Sequence, residues 1–301
     1  MAKILVIGGG AMGSAFTIPC LDNKNNVTIT EPYSKQFINN LKSKNKFHSV
    51  LKIKLPKKLK FRIFSKELLK EKFNLIVIAL SLPGINFISK ELKNIKNKTP
   101  ILILTKGLKY DKKRNKILTI SEQIKIDTKN KNISVLKGPC LAKELAKKNQ
   151  TKVIIANKNI NIAKKIGKLI STNYYLVEYS TDIIGVEVCS AIKNIYAMVI
   201  GAGQSLNMSS SLFQKSLIEM KYLTKYFNGK DTTVESLAGV GDLYVSAAGG
   251  RNSKMGDYLG KGFTFKSAKK KFMFKDTVEG EQLAREIGPF IFKKINLQKI
   301  P

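Results

Sequence analysis

The first thirteen residues constrain the fold more than any other segment. The apolar segment Lys3–Ile7 runs directly into three glycines spaced G-x-G-x-x-G, which are Gly8, Gly10 and Gly13. An apolar helical segment, 11–21, and a second strand-like segment, 27–30, follow at the distance that a βαβ unit requires. Glycines in this pattern permit a tight turn and let backbone N–H groups approach a pyrophosphate at the positive end of a helix. The pattern therefore predicts a dinucleotide-binding unit.

Glu31 stands at the end of the second predicted strand, about 20 residues past the glycine turn, where dinucleotide-binding units carry an acidic residue. A carboxylate at this position accepts hydrogen bonds from the adenosine ribose and repels a 2′-phosphate. We therefore expect NAD or NADP as cofactor, with NAD slightly favoured, although the many nearby lysines weaken that preference. A surface carboxylate before the Pro32 turn explains the same residue equally well.

Strand-like and helical segments alternate through the first 180 residues. The apolar strand-like segments are 59–64, 75–80, 100–104, 133–136, 151–156 and 174–179. Continuous apolar strands separated by helices indicate a buried parallel sheet. From Thr181 onward the strand patterns stop and helical patterns follow. The fold class predicted is α/β, with a Rossmann-type doubly wound sheet in residues 1–182 and an all-helical domain in residues 183–301.

The charge raises nucleic acid as a partner, because 54 Lys and Arg face 21 Asp and Glu and give a net charge of +33. The lysines are spread along the whole chain, usually beside Asn and Ile, and form no Arg-rich or aromatic-interleaved block. We interpret the charge as compositional drift that leaves a solvated basic surface, attractive to small anionic substrates and cofactors. A non-catalytic nucleotide-binding or nucleic-acid-binding protein remains an alternative.

Three further properties bound the class of protein. The three cysteines are Cys20, Cys140 and Cys189, and their odd number and wide spacing indicate that there is no disulfide framework. The sequence contains no Cys-x-x-Cys or His-x-x-x-His pair, so we expect no metal site. The chain begins without a signal-peptide pattern, and no apolar run reaches the length that we expect of a bilayer span. These observations predict a cytoplasmic protein without a membrane span.

Lys193 lies in the middle of an unusually apolar helical segment, 185–203. A lysine in apolar surroundings loses hydration, which disfavours its charged form and moves its pKa toward neutrality. Such a pKa suits a general acid or base. A lysine that reaches the surface past an amphipathic helix is the alternative, and this segment alone leaves both open.

Six motifs in order make the sequence recognisable. They are GGGAMG (8–13), TKGL (105–108), GPCLAKELA (138–146), EVCSAIKNIYA (187–197), LAGVGDLYVSAAGGRN (237–252) and VEGEQLA (278–284). The set resembles the NAD(P)-dependent sn-glycerol-3-phosphate dehydrogenases over nearly the whole chain. The resemblance implies reversible hydride transfer between NAD(P)H and dihydroxyacetone phosphate, which supplies a precursor of glycerophospholipids.

The resemblance also implies roles for individual residues. Lys193 matches the family's general acid/base, Asn194 would align substrate or cofactor, and Asp242 would pair with Lys193 and position it. The implied substrate-binding residues are Lys106, Gly138, Cys140, Gly250, Arg251 and Asn252. The implied cofactor-binding residues are Gly8, Gly10, Ala11, Met12, Gly13, Glu31, Lys106, Ala142, Arg251, Thr277 and Glu279. A homodimer and a small phosphorylated substrate are implied as partners.

Some features depart from the family's pattern. Met12 replaces an aromatic residue and Cys140 replaces a serine, and the chain stops at Pro301 where family members continue with further helices, so we expect a truncated chain. The only histidine, His48, lies in a polar segment and is not expected to take part. Another two-domain hydroxyacid dehydrogenase is the nearest enzymatic alternative, but it gives no reason for the Gly250–Asn252 phosphate motif.

Overall fold

The computed structural model of the protein describes residues 1–93 and 99–295. Backbone contacts divide the chain into two units: residues 1–106 with 120–183, and residues 107–119 with the chain from 184 onward. The division of the chain into a cofactor domain, 1–182, and a substrate domain, 183–301, stays a prediction.

In the described residues, strands and helices alternate as far as β12, and the elements that follow are helical. The strands are β1 (Lys3–Ile7), β2 (Asn26–Thr30), β3 (Phe47–His48), β4 (Ile53–Lys54), β5 (Lys60–Phe61), β6 (Leu75–Ile78), β7 (Ile101–Ile103), β8 (Leu108–Asp111), β9 (Lys116–Thr119), β10 (Ile133–Lys137), β11 (Thr151–Ala156) and β12 (Tyr175–Ser180). The α-helices are α1 (Ala11–Asp22), α2 (Lys35–Ser43), α3 (Lys66–Lys70), α4 (Leu82–Lys93), α5 (Ile120–Thr128), α6 (Ala142–Ala146), α7 (Ile160–Ile170), α8 (Ile183–Gly201), α9 (Leu206–Tyr226), α10 (Asp242–Ala247), α11 (Arg251–Gly260), α12 (Phe265–Phe272) and α13 (Glu279–Lys294).

The first unit is built on one sheet with the strand order β12-β11-β10-β7-β6-β1-β2-β5. Its neighbouring strands are parallel apart from the antiparallel pair β10–β11. The chain runs from β1 outward to β2 and β5, then returns to β6 on the other side of β1. The order of strands therefore reverses between β1 and β6, and open α/β sheets bind ligands outside the carboxyl ends of the strands at such a point.

Apolar residues on both faces hold this sheet in the interior. All four residues of β6 are buried, as are four of the five in β1, because helices cover both faces of a doubly wound sheet. Phe16 on α1 packs into the same core, where its ring meets Tyr175 of β12 edge-on with the ring centroids 6.3 Å apart. The predicted fold class, a Rossmann-type sheet followed by a helical domain, is confirmed.

Three local features differ from what the sequence predicts. The strand predicted over 59–64 is reduced to the two residues of β5, and within the predicted all-helical domain the chain forms a 3₁₀ turn, Asp231–Glu235, followed by a π turn, Leu237–Gly241. The hairpin of β8 and β9 was not predicted, because each of its strands is only four residues long and too short to give a clear period. It belongs to the second unit, where the Tyr110 N–H donates to Oε1 of Glu286 on α13 over 3.0 Å.

The helix α8 corrects the expectation that no apolar run is long enough to span a bilayer. Among the described residues, one helix, Ile183–Gly201, has the length and apolar composition of a span. However, 72% of its most apolar window is buried inside the protein, as in a core helix. Length and composition are therefore weak indications of a membrane segment here.

Candidate functional site

The glycine turn after β1 is tightly packed against the protein at both ends. Gly8 has a φ of +120°, and a Cβ there would lie 2.4 Å from the backbone oxygen of Ala79. A Cβ on Gly13 would lie 2.0 Å from the backbone oxygen of Gly8, so α1 can begin this close to β1 only with glycine at that position. Side chains are excluded at both places, and the turn is fixed as the motif predicts.

Gly10 differs from Gly8 and Gly13 because it is exposed. Nothing lies within 4 Å of the place that a Cβ would take, and Gly10 is the N-cap of the 12-residue helix α1. The N-terminus of a helix attracts anions through its unsatisfied N–H groups and its dipole. The turn therefore leaves a cradle that fits the pyrophosphate of a dinucleotide.

Glu31 is tied to this turn. Its Oε2 accepts a hydrogen bond from the Gly9 N–H at 2.8 Å, and its Oε1 accepts one from the Tyr33 N–H at 3.1 Å. The carboxylate at the end of β2 thus lies against the turn after β1.

Other residues that the sequence predicts for cofactor and substrate lie in the same unit. Ala11, Met12, Cys140 and Ala142 are partly buried and pack against one core cluster. Lys106 follows β7 and Gly138 follows β10, and both strands run parallel to β1 in the sheet order. Because the carboxyl ends of parallel strands share one edge of a sheet, these residues lie on the same edge as Gly8.

Lys193 is buried in the second unit, with 5% of its surface exposed. Its Nζ lies 2.9 Å from Oδ1 of Asp242 and donates a second hydrogen bond to Oγ of Ser246. Lys193 belongs to α8, and its two partners belong to α10. The side chain therefore does not reach the surface, and its ammonium is held in one place by a carboxylate and a hydroxyl.

A second network joins Asn194 to residues far along the chain. Its Oδ1 accepts from Nδ2 of Asn252 at 3.0 Å, and its Nδ2 donates to Oε2 of Glu279 at 3.1 Å. Oδ1 of Asn252 in turn accepts from the Gly280 N–H at 2.9 Å. A Cβ on Gly280 would lie 2.4 Å from the backbone oxygen of Asn194, so glycine allows α13 to approach α8 this closely. Three motifs that are distant in sequence thus meet within the second unit.

Arg251 begins α11, with Gly250 as the N-cap residue. Its guanidinium lies 3.5 Å from Oε1 of Glu279, and 56% of its side-chain surface is exposed. Such an exposed ion pair contributes little to stability, so the guanidinium can turn toward an anionic ligand. Arginine and a helix N-terminus are both suited to phosphate oxygens. Thr277 is exposed and lies two residues before α13.

Sequence reasoning missed Ser246 and misjudged the surroundings of His48. Ser246 stands four residues after Asp242, so the helical i,i+4 spacing could have identified it. His48, which the sequence placed in a polar segment with no expected role, is buried: the side chain is 1% exposed, and its Nε2 lies 3.2 Å from the backbone oxygen of Gly9. The hairpin of β3 and β4 turns this histidine inward, and such a tertiary contact leaves no periodic signal.

Within residues 1–93 and 99–295, no three His, Cys, Asp or Glu side chains form a group that could hold a metal ion.

The doubly wound sheet, its open glycine turn and the buried lysine–carboxylate pair define the class of dinucleotide-dependent dehydrogenases. A family model described as the N-terminus of NAD-dependent glycerol-3-phosphate dehydrogenase matches residues 3–163, and the model of its C-terminus matches residues 182–301. The chain belongs to the NAD-dependent glycerol-3-phosphate dehydrogenase family.

Individual relatives agree with this assignment. The NADP⁺-dependent glycerol-3-phosphate dehydrogenase of Archaeoglobus fulgidus is 30% identical over 88% of this chain and 82% of its own length. The NAD(P)⁺ enzyme of Clostridium botulinum is 30% identical over 89% of this chain and 82% of its own length. A crystal structure of glycerol-3-phosphate dehydrogenase from Coxiella burnetii superposes with a TM-score of 0.84 at 26% identity, covering 97% of this chain and 90% of that one.

The glycine turn generates a matched pair of predictions. Gly10→Ala leaves the thermal unfolding temperature near that of the wild type, because the position is open, but it weakens NADH binding at least about tenfold by filling the cradle. Gly13→Ala lowers the free energy of unfolding by at least about 1–3 kcal/mol, because its methyl group overlaps a backbone oxygen. Thermal and urea unfolding measure the effects on stability, and NADH fluorescence titration measures the effect on cofactor binding. Wild-type NADH affinity in Gly10→Ala would contradict the assigned role of the cradle.

His48 predicts a dependence of stability on pH. Burial lowers the pKa of His48 below its usual 6.5, so the unfolded chain binds a proton more readily than the folded one. Stability from this group is present above pH 6.5 and is lost as the pH falls below 6.5 toward the folded-state pKa. His48→Gln does not titrate, so the wild type should lose stability relative to this variant between pH 7.5 and 5.5 in urea unfolding. Parallel curves for the two proteins would refute the prediction.

Proposed function

We propose that the chain catalyses reversible hydride transfer between NAD(P)H and dihydroxyacetone phosphate to give sn-glycerol 3-phosphate, a precursor of glycerophospholipids. The observation that carries the proposal is the buried Lys193–Asp242 pair on α8 and α10. Membership of the glycerol-3-phosphate dehydrogenase family supports the substrate, and the +33 charge would draw an anionic substrate to the surface. We propose a homodimer, as the resemblance implies, and light scattering tests it. We also propose that the protein is cytoplasmic.

The residues of the first unit would hold the cofactor. The turn from Gly8 to Gly13 offers its N–H groups and the N-terminus of α1 to the pyrophosphate, and Glu31 would face the adenosine ribose. Ala142 of the first unit, and Thr277 and Glu279 of the second, are further proposed contacts to the cofactor. The dinucleotide supplies the hydride when it is bound.

Lys193 would act as the general acid/base. In the reduction its ammonium donates a proton to the C2 carbonyl oxygen, and in the oxidation the neutral amine takes that proton back. Carbonyl reduction develops alkoxide charge, and a preorganised donor in a dry site stabilises such charge by roughly 3–4 kcal/mol. Asp242 and Ser246 hold Nζ in position before the substrate arrives.

Arg251 and the N-terminus of α11 would bind the substrate phosphate. Asn252 is also proposed to bind the phosphate, and because its amide is hydrogen-bonded to Asn194 and to the Gly280 N–H it would position Asn194 as well. Lys106, Gly138 and Cys140 are proposed to complete the substrate pocket.

The primary test is a steady-state assay of Lys193→Met with dihydroxyacetone phosphate and either NADH or NADPH. Loss of the proton donor should lower kcat/KM by about 10³-fold. Unphosphorylated dihydroxyacetone and pyruvate serve as comparison substrates, because a hydroxyacid dehydrogenase would have no preference for the phosphate.

Two control variants separate catalysis from folding. Lys193→Met leaves the Asp242 carboxylate buried without this partner, which costs about 3–5 kcal/mol of stability. The double variant Lys193→Met/Asp242→Asn removes that charge and should regain stability but not activity. Lys221→Met breaks an exposed pair with Glu235 in the same unit and should retain full activity. A stable double variant with wild-type kcat would exclude Lys193 as the general acid/base.

The names of the two relatives, for NADP⁺ and for NAD(P)⁺, leave the cofactor preference of this chain open. We propose that Glu31 favours NAD. Glu31→Gln keeps an acceptor for the Gly9 N–H but removes the charge that repels a 2′-phosphate. The ratio of kcat/KM for NADPH to that for NADH should rise about tenfold, as a charge effect of about 1.4 kcal/mol gives. Glu178→Gln, on β12, is the control with no expected change. An unchanged ratio in Glu31→Gln would show that this carboxylate does not select the cofactor.

A further inference from the structure

The peptide groups of Gly9 are held by three side chains from different elements. Its N–H donates to Oε2 of Glu31 at 2.8 Å. Its carbonyl oxygen accepts from Oγ of Ser14 at 2.8 Å and lies 3.2 Å from Nε2 of His48. Gly9 itself is buried, whereas the next residue, Gly10, is exposed. The backbone of the cofactor turn is therefore fixed immediately before the cradle.

The planarity of the peptide bond links this carbonyl to the cradle. The C=O of Gly9 and the N–H of Gly10 belong to one trans peptide, so they point in opposite directions. Donors that hold the carbonyl toward the interior consequently turn the Gly10 N–H outward. The residue that carries this N–H is exposed, and nothing lies within 4 Å of the place that a Cβ on Gly10 would take.

The tautomer of His48 follows from its partners. The Leu51 N–H donates to Nδ1 over 3.3 Å, so Nδ1 is the acceptor and the proton resides on Nε2. The Nε2–H therefore donates to the Gly9 carbonyl. Phe37 meets the imidazole edge-on, with the ring centroids 5.8 Å apart, and a Cβ on Gly9 would lie 2.6 Å from the Phe37 ring. His48 and Phe37 thus form the floor beneath Gly9.

We propose that His48 is a positioning residue of the cofactor site, whose neutral imidazole holds the Gly9 carbonyl and thereby directs the Gly10 N–H toward the pyrophosphate of the dinucleotide. The inference rests on the proposed cofactor role of the turn. Burial lowers the pKa of His48, so the imidazole stays neutral and Nδ1 remains an acceptor near pH 7. Both ring nitrogens are hydrogen-bonded, and the side chain is buried without an unsatisfied polar atom.

Two amide substitutions separate positioning from packing. The Asn side chain carries its amide where Nδ1 lies, and the Gln side chain carries its amide nitrogen where Nε2 lies. His48→Gln retains a donor to the Gly9 carbonyl, whereas His48→Asn retains only the contact with the Leu51 N–H. Val50→Ala, at a position 55% exposed in the same hairpin, is the control.

NADH affinity, measured by fluorescence titration at pH 8, is the principal readout. We expect the Kd of His48→Gln to stay within about twofold of the wild-type value and that of His48→Asn to rise about five- to tenfold, as loss of one hydrogen bond predicts. The kcat at saturating NADH and the KM for dihydroxyacetone phosphate should stay within twofold for both variants. A split between NADH affinity and kcat is what a positioning role predicts and a general loss of folding does not.

Equal NADH affinities in His48→Asn and His48→Gln would overturn the inference, whether both match the wild type or both fall. If His48→Asn does not fold, Ser14→Ala removes the companion donor to the same carbonyl, and wild-type NADH affinity in that variant also overturns it. Failure of the wild type to bind NADH or NADPH would refute the cofactor role of the turn and the inference with it. Wild-type binding that is undiminished in His48→Asn refutes the inference alone.

Discussion

The buried ion pair of Lys193 and Asp242 is the interaction on which the proposed chemistry of the second unit depends. Removing two charges from water costs several kcal/mol per ion, and their attraction offsets this only when the geometry is close and further hydrogen bonds are made. Here the atoms lie 2.9 Å apart and Ser246 accepts a second bond from the ammonium. Because well-packed apolar residues would often stabilise such a site equally well, stability alone does not account for the pair, which is consistent with the proposed role of Lys193 as a fixed proton donor.

The same constraint, that buried polar groups must be satisfied, organises the cofactor turn of the first unit. Glu31, Ser14 and His48 satisfy the Gly9 peptide groups from the protein side. The next residue, Gly10, is exposed, and nothing lies within 4 Å of the place that its Cβ would take. In the first unit, side chains of the protein thus hold the peptide groups of Gly9. In the second unit, Asp242 and Ser246 hold the ammonium of Lys193 in the same way.

How much of this the sequence could predict depended on whether the signal was local. β1 (Lys3–Ile7) and β11 (Thr151–Ala156) have the predicted bounds, and α1 (Ala11–Asp22) ends one residue beyond the predicted 11–21, because a continuous apolar strand and a helical period are both visible within a few residues. The hairpin of β8 and β9 was not predicted because its strands are only four residues long. The burial of His48 was not predicted because it depends on a contact with Gly9, which is distant in sequence. The residues of the candidate site were named through their motifs, and their roles remain predictions.

The partners that fix each functional group lie in the same unit as that group. Lys193 is held by Asp242 and Ser246 in the second unit, and the glycine turn is held by Glu31, Ser14 and His48 in the first. Under the proposed roles, the orientation of the glycine turn affects cofactor affinity, and the orientation of the Lys193 ammonium affects the chemical step. Substitutions in the two networks should then act on different kinetic constants, because the networks share no member.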